Sequence, residues 1–197
     1  AITTNFNLEI PDQIASYYSE EITLNSEALE IYYKGKYISD FIKSDEDLKN
    51  GKDNLEKSIE LDGEFVEAYS EYGLVCQRLG KYELADTNLQ KAKEIAEKKN
   101  DNQGLASIYN VLSILYKSQG KYVKSNENIE KALKIQLNLN NKPKEAIFRS
   151  NYASVLHYLN KLELALEQNK KAIEIKESLE ENHVIGALYG SMTNTYR

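Results

Sequence analysis

The sequence predicts an all-α protein, a solenoid of antiparallel helix pairs, and three observations carry that expectation. One phrase recurs at a fixed interval: GKYELADTNLQKA at 80–92, GKYVKSNENIEKA at 120–132 and NKLELALEQNKKA at 160–172. The apolar residues inside each copy fall on one helical stripe, which in the first is Tyr82, Ala85, Leu89, Ala92 and Ala96. The 197 residues include nine Gly and two Pro (Pro11 and Pro143), too few for the many turns of an all-β fold.

Each copy is the second half of a longer unit. Upstream of the second copy, Ile108, Leu112, Leu115 and Tyr116 make the stripe of another helix. Between the two stripes stand Gly80, Gly120 and Asn160, residue types that accept the left-handed conformation closing a helix. Every unit is thus expected to be a helix, a tight turn and a second helix. Three positions per unit stay small: Gly73, Ala85 and Ala92, then Ser113, Ser125 and Ala132, then Ala153, Ala165 and Ala172. Small side chains there let the paired helix axes approach. Tyr69, Tyr109 and Tyr189 are in phase, with Arg149 the exception.

This pattern resembles the tetratricopeptide repeat: a small residue, an aromatic or aliphatic one three later, Gly, then Ala, a bulky residue and Ala. The likeness covers residues 27–197. The family's usual period is about 34 residues, whereas forty separate Lys81, Lys121 and Lys161, so the helices should be about a turn longer, as in kinesin-light-chain-like repeats. WD-repeat propellers need a Trp-Asp signature, and the chain has no Trp. HEAT repeats lack this Gly-Lys-Tyr turn. The resemblance implies a right-handed superhelix whose concave surface, made by the first helix of every unit, binds a peptide or a partner's helix.

Residues 1–25 read as an N-terminal capping helix and linker, begun at Pro11 and applied to the solenoid by Ile10, Ile14, Tyr17 and Tyr18. Residues 26–197 read as about four helix pairs plus a terminal half-repeat. In the first pair Asn25 or Ser26 caps a helix running to about Ile42. SDED (44–47) is expected to be a loop, and Gly51 and Ser58 take the small positions of the helix after it. ENHVIGALYGSMTNTYR (181–197) reads as a first helix with no partner after it, a surface through which copies could self-associate or a place where a longer array is cut. The first unit also looks like the repeat following catalytic domains of bacterial multidomain regulators, class III nucleotide cyclases among them. Ala28, Tyr33, Gly35, Tyr37, Ile59, Asp62, Phe65, Ala68 and Tyr69 carry that second likeness, and Gly63 departs from the proline usual there.

The residue content argues against catalysis. No phosphate-binding glycine loop, HExxH or paired CxxC occurs, and His157 and His183 stand too far apart to suggest a metal site. We therefore expect no enzyme, no cofactor and no metal. Cys76 is the only cysteine, which fits a reducing, cytoplasmic compartment and a buried apolar role. A net charge of −6 argues against nucleic acid as partner, and no apolar run is long enough to span a membrane. The tyrosines fall mostly on stripe positions and are expected in the core.

The sequence favours two functions: a protein-interaction module or scaffold, and a regulatory segment of a signalling enzyme such as a nucleotide cyclase, with its catalytic domain elsewhere. Projected onto the first helices, the repeat register puts Glu67, Ser70, Glu71, Leu74, Gln77 and Arg78 on the concave surface. Ser107, Asn110, Val111, Ile114 and Lys117 follow, then Ile147, Ser150, Asn151, Ser154, His157 and Tyr158, then Ala187, Ser191, Asn194 and Arg197. Of these, Arg78, Asn110, Lys117, Ser150, Asn151, His157, Tyr158, Asn194 and Arg197 are the candidate partner contacts. The carboxamides can both donate to and accept from a peptide backbone. Chaperone-tail co-chaperones resemble this fold but need a Lys and an Asn on one first helix. Those positions are Ser70 and Leu74, Asn110 and Ile114, Ser150 and Ser154, so that ligand class is not expected. Gln77, Lys117, His157 and Arg197 should stack into one column beside Arg78. Such a column suits an acidic ligand, or equally a set of cations at helix ends facing the dipole.

Overall fold

The computed structural model describes residues 25–41 and 44–179, and among them eight helices and no strand. They are α1 (Ser26–Phe41), α2 (Asp45–Leu61), α3 (Val66–Arg78), α4 (Tyr82–Lys99), α5 (Asn102–Ser118), α6 (Tyr122–Leu139), α7 (Lys142–Tyr158) and α8 (Leu162–Ser178). The expected capping helix and the terminal half-repeat, with Asn194 and Arg197, lie outside the described residues.

The turns follow from residue chemistry. Gly80, Gly120 and Asn160 adopt φ of 70°, 71° and 57° between the helices of a pair. The N–H after each reaches back to the preceding helix, Lys81 to the Cys76 carbonyl at 2.8 Å, Lys121 to Tyr116 at 2.8 Å and Lys161 to Leu156 at 2.9 Å. These bonds satisfy carbonyls that the helix end leaves open. The turns between units are equally ordered. Asn100 and Asn140 take the left-handed conformation, and the next residue caps the following helix, Asp101 accepting from Gly104 N at 2.8 Å and Asn141 from Lys144 N at 3.1 Å.

The N-terminal pair corrects one expectation. SDED is not a loop: Ser44 is the N-cap of α2, accepting from Asp47 N at 3.1 Å, and the acids are its first turn. Three carboxylates beside the positive end of the helix dipole favour starting the helix there. Asn25 caps α1 by accepting from Ala28 N at 3.0 Å.

Within pairs, the small positions lie where the backbones meet. A Cβ on Gly73 would stand 2.7 Å from Leu89 Cγ, and one on Gly35 only 3.0 Å from the Gly51 carbonyl oxygen. Ser113 and Ser125 touch through their hydroxyls at 2.9 Å, and Ser58 donates to the Ala28 carbonyl at 2.7 Å. Ala85, Ala92 and Ala132 are fully buried. Around them run Leu55, Phe65, Tyr69, Leu89, Ile108, Leu112 and Leu115, continued by Ile129, Phe148, Val155 and Leu156. Each large apolar side chain so buried contributes roughly 1.5–3 kcal/mol.

Arg149 takes the place of Tyr69 and Tyr109. Those rings are covered by the ammonium groups of Lys91 at 5.2 Å and Lys131 at 5.5 Å. In the last pair Arg149 instead binds the buried Glu145 at 2.8 Å and donates to Gln168 Oε1 at 2.6 Å, while Lys142 reaches Glu145 at 2.9 Å. A polar plug replaces an aromatic one.

First helices touch first helices: α1 packs on α3, α3 on α5 and α5 on α7, whereas each second helix packs on its partner and on the helix that follows. The first helices therefore form the inner layer of a curved, two-layer, all-α solenoid. Their shared inner face is the concave surface.

Candidate partner-binding groove

Polar side chains of the first helices are tied from unit to unit. Lys36 on α1 pairs with Glu71 on α3 at 2.5 Å. Arg78 Nη1 donates to the Ser39 carbonyl at 2.5 Å, and Gln77 donates to Ser118 Oγ at 2.8 Å. Asn151 Nδ2 donates to Asn110 Oδ1 at 2.8 Å, and Lys117 Nζ donates to Ser154 Oγ at 2.9 Å. The groove is laced crosswise by residues about one repeat apart. The candidate asparagines thus meet each other across the α5–α7 seam, where Asn110 is buried and Asn151 half-buried. The pair occurs once because position 111 is Val: Ser70, which matches Asn110, finds no partner on α5, and its hydroxyl is buried and unbonded.

The expected column assembles in part. Gln77 reaches the neighbour of Lys117, and Lys117 reaches a residue one turn before His157. Arg78 extends it on the α1 side rather than stacking with it. The carbonyls of Gln77, Lys117 and His157 each accept the N–H of the left-handed turn residue at 3.0 Å, so all three sit at helix C-termini. Burial holds the Lys117 ammonium below its ordinary pKa, and its one hydrogen bond is to a hydroxyl. His157 is exposed beside Tyr158, their ring centroids 6.0 Å apart, and Tyr158 stacks on Tyr122 at 4.9 Å with 54% of its surface exposed. Ser150 turns back to the Ala146 carbonyl at 3.1 Å.

Sequence reasoning missed a second charge cluster at the opposite end of the groove. Glu67, in the first turn of α3, is desolvated and lies within the field of Asp101, Lys144 and Lys99, and its carboxyl is pushed up to about 7. Lys144, in the first turn of α7, is held below its ordinary value by burial, although Glu67 acts to raise it. Position 144 corresponds to Glu64 and Gly104 in earlier units, so no repeat marked it. Gly104 brings α5 close: a Cβ there would lie 2.7 Å from Val66 Cγ1 and would collide with Asp101.

The remaining chemistry is structural. Cys76 is buried, and desolvation pushes its thiol up, which makes it a poor nucleophile. Tyr32, Tyr69 and Tyr72 are in the core, as expected. Among the described residues no cluster of His, Cys, Asp and Glu could hold a metal, and no helix is long and apolar enough to cross a membrane.

Residues 64–138 match the tetratricopeptide repeat family. With the helix-pair architecture around them, that match sets the class of those residues: they are tetratricopeptide repeats, set in a chain whose fold is a helix-pair solenoid. Its likenesses are to structures of the same kind. BtubC (BKLC) from P. vanneervenii superposes with a TM-score of 0.63 at 21% identity, over 87% of this chain and 66% of that one. The chain therefore spans about two thirds of BtubC's length. A point variant of a Podospora anserina protein, described as a kinesin light chain with nearly identical TPR-like repeats, gives 0.65 at 14% identity over 88% of each chain. MamA from Desulfovibrio magneticus RS-1 gives 0.54 at 18% identity, over 77% of this chain and 76% of that one. At such identities the likeness is one of fold. No curated protein matches the sequence. Tetratricopeptide repeats are protein-interaction and scaffold modules, and the repeats matched over residues 64–138 indicate a role of that kind.

Proposed function

We propose that this chain is an interaction module that holds a peptide or a partner domain in its concave groove, and that the partner is acidic where it meets the α5 and α7 C-termini. One observation carries the reading. The Lys117 ammonium, half-buried on the inner face, meets a serine hydroxyl and no carboxylate among the described residues, on a molecule with net charge −6. A desolvated cation without a counter-ion gains most from an incoming carboxylate. At the C-terminal end of α7 the exposed Tyr158 offers the apolar, low-entropy contact typical of an interface anchor. Ser150, Asn151 and His157, on the same helix α7, would complete the contact.

The test is capture of the partner by the full chain and by a Lys117→Glu, Arg197→Glu double variant, across a salt series. Wild type should capture a partner whose binding weakens as salt rises through the physiological range. The double variant should capture none while keeping its helical circular dichroism spectrum. Equal capture by both would leave the column as cations placed at helix ends. The alternative role, as a regulatory segment of a signalling enzyme, rests on the first unit's sequence alone.

A further inference from the structure

Two side-chain hydrogen bonds cross the seam where α5 packs on α7. Asn151 Nδ2 donates to Asn110 Oδ1 at 2.8 Å, and one turn further along α7 Ser154 Oγ accepts from Lys117 Nζ at 2.9 Å. Both members of the second pair are half-buried. Their neighbours in sequence turn the other way: Leu115 on α5 and Ala153, Val155 and Leu156 on α7 are buried in the cores. Lys117 and Ser154 therefore meet on the helix faces that the cores leave open.

The bond between them uses little of their capacity. An ammonium has three N–H donors and a hydroxyl has one O–H. Lys117 directs one donor at Ser154, whose oxygen accepts it, so the Ser154 proton has no acceptor among the described residues. Ser150, one turn earlier, differs, since its hydroxyl turns back to the Ala146 carbonyl at 3.1 Å. The seam thus presents two donors side by side, one charged and one neutral. The Asn110–Asn151 bond holds the two helices at a fixed spacing beside them.

The group that fits follows from this count. A carboxylate has two acceptor oxygens in one plane and a single negative charge, matching two donors and one cation. A carboxamide would turn its NH2 toward a donor and leave the ammonium without a counter-ion. A phosphate monoester brings about two negative charges to one cation, and the excess would be desolvated without a partner. We propose that Lys117 Nζ and Ser154 Oγ together form a receptor for one side-chain carboxylate, an Asp or Glu inside a partner segment, with one carboxylate oxygen accepting from each. This rests on the groove being the partner surface, and it makes Ser154 the residue that separates a carboxylate from other acidic groups.

The experiment follows the backbone amide resonances of Lys117 and Ser154 in the full chain during titration with acetyl-Ala-Ala-Asp-Ala-Ala-amide. It is repeated with Asn or phosphoserine in place of Asp, and with acetyl-Ala-Ala-Ala carrying a free C-terminal carboxylate. The Asp peptide should shift both resonances saturably, the Asn peptide should not, and the other two should bind more weakly than Asp. Ser154→Ala should weaken the Asp peptide by at least about tenfold, because a hydrogen bond to a charged group is lost. Ser154→Thr keeps the hydroxyl and should bind like the wild type. Lys117→Met should not bind, with its helical circular dichroism spectrum unchanged. Failure of the Asp peptide to bind saturably, or equal binding of the Asn peptide, overturns the receptor. So does tighter binding of phosphoserine or of the free C-terminus, or an equal effect of Ala and Thr at position 154. If capture of the partner still depends on Lys117 in that case, the acidic-partner reading stands and only this receptor fails. If the peptides behave as expected while capture is insensitive to Lys117→Glu, only the acidic-partner reading fails.

Discussion

Glu67 shows how one side chain on this surface differs from an ordinary exposed acid. Desolvation in the first turn of α3 raises its pKa from 4.5 to about 7, against the pull of Lys144 and Lys99. A carboxyl raised on folding costs stability wherever the folded chain must ionise it. The cost is absent below about 4.5, grows as pH rises and is complete above about 7. Glu67→Gln should therefore melt with the wild type near pH 4 and above it near pH 8, by at most about 3 kcal/mol. Equal melting temperatures at both pH values would mean that the carboxylate is solvated. At the same scale, Ser70 and Asn110 share a register position but differ in fate, because α5 offers Val111 where α7 offers Asn151.

At the scale of the element, the helix pair is built on contacts that admit no extra volume. Ala132 is fully buried within the core that includes Ile129 and Phe148. Ala132→Leu must force α5 and α6 apart or drive side chains out of their rotamers, at a cost of roughly 1–3 kcal/mol. Thermal melting of this variant, beside one with leucine at the exposed Lys134, separates overpacking from added hydrophobicity. The buried position should lose several degrees and the exposed one almost none. The last pair is built differently from the others, since Glu145, Arg149 and Gln168 stand where earlier pairs set an aromatic ring under a lysine.

For the molecule as a whole, stability in a solenoid is close to a sum of units and the interfaces between neighbours. The largest continuous core runs from Ala28 to Leu115, whereas the core of α7 and α8 is thinner and carries the ion-paired plug. Amide hydrogen exchange should accordingly be slowest in α3, α4 and α5 and measurably faster in α7 and α8. Uniform protection across all eight helices would mean that the array unfolds as a single cooperative block.

The helix pairs, their turns and their close contacts were determined by the sequence alone, because each depends on a residue within its own unit. A left-handed residue needs Gly or Asn, and a tight crossing needs Gly, Ala or Ser. The repeat displays both three times, at Gly80, Gly120 and Asn160 and at the small positions between α3 and α8. SDED was misread as a loop because its caps and acids follow local helix-start chemistry with no repeat copy to reveal it. Only the tertiary structure decided the groove. Whether Asn110 meets Asn151, whether Lys117 finds a hydroxyl or a carboxylate, and whether Lys144 lies within the field of Glu67 depend on superhelical curvature, which brings together residues one or two units apart. That curvature is a sum of small rotations between units, carried by no single residue. The register can name the inner face, but the pairs formed across it arise only once the units are stacked.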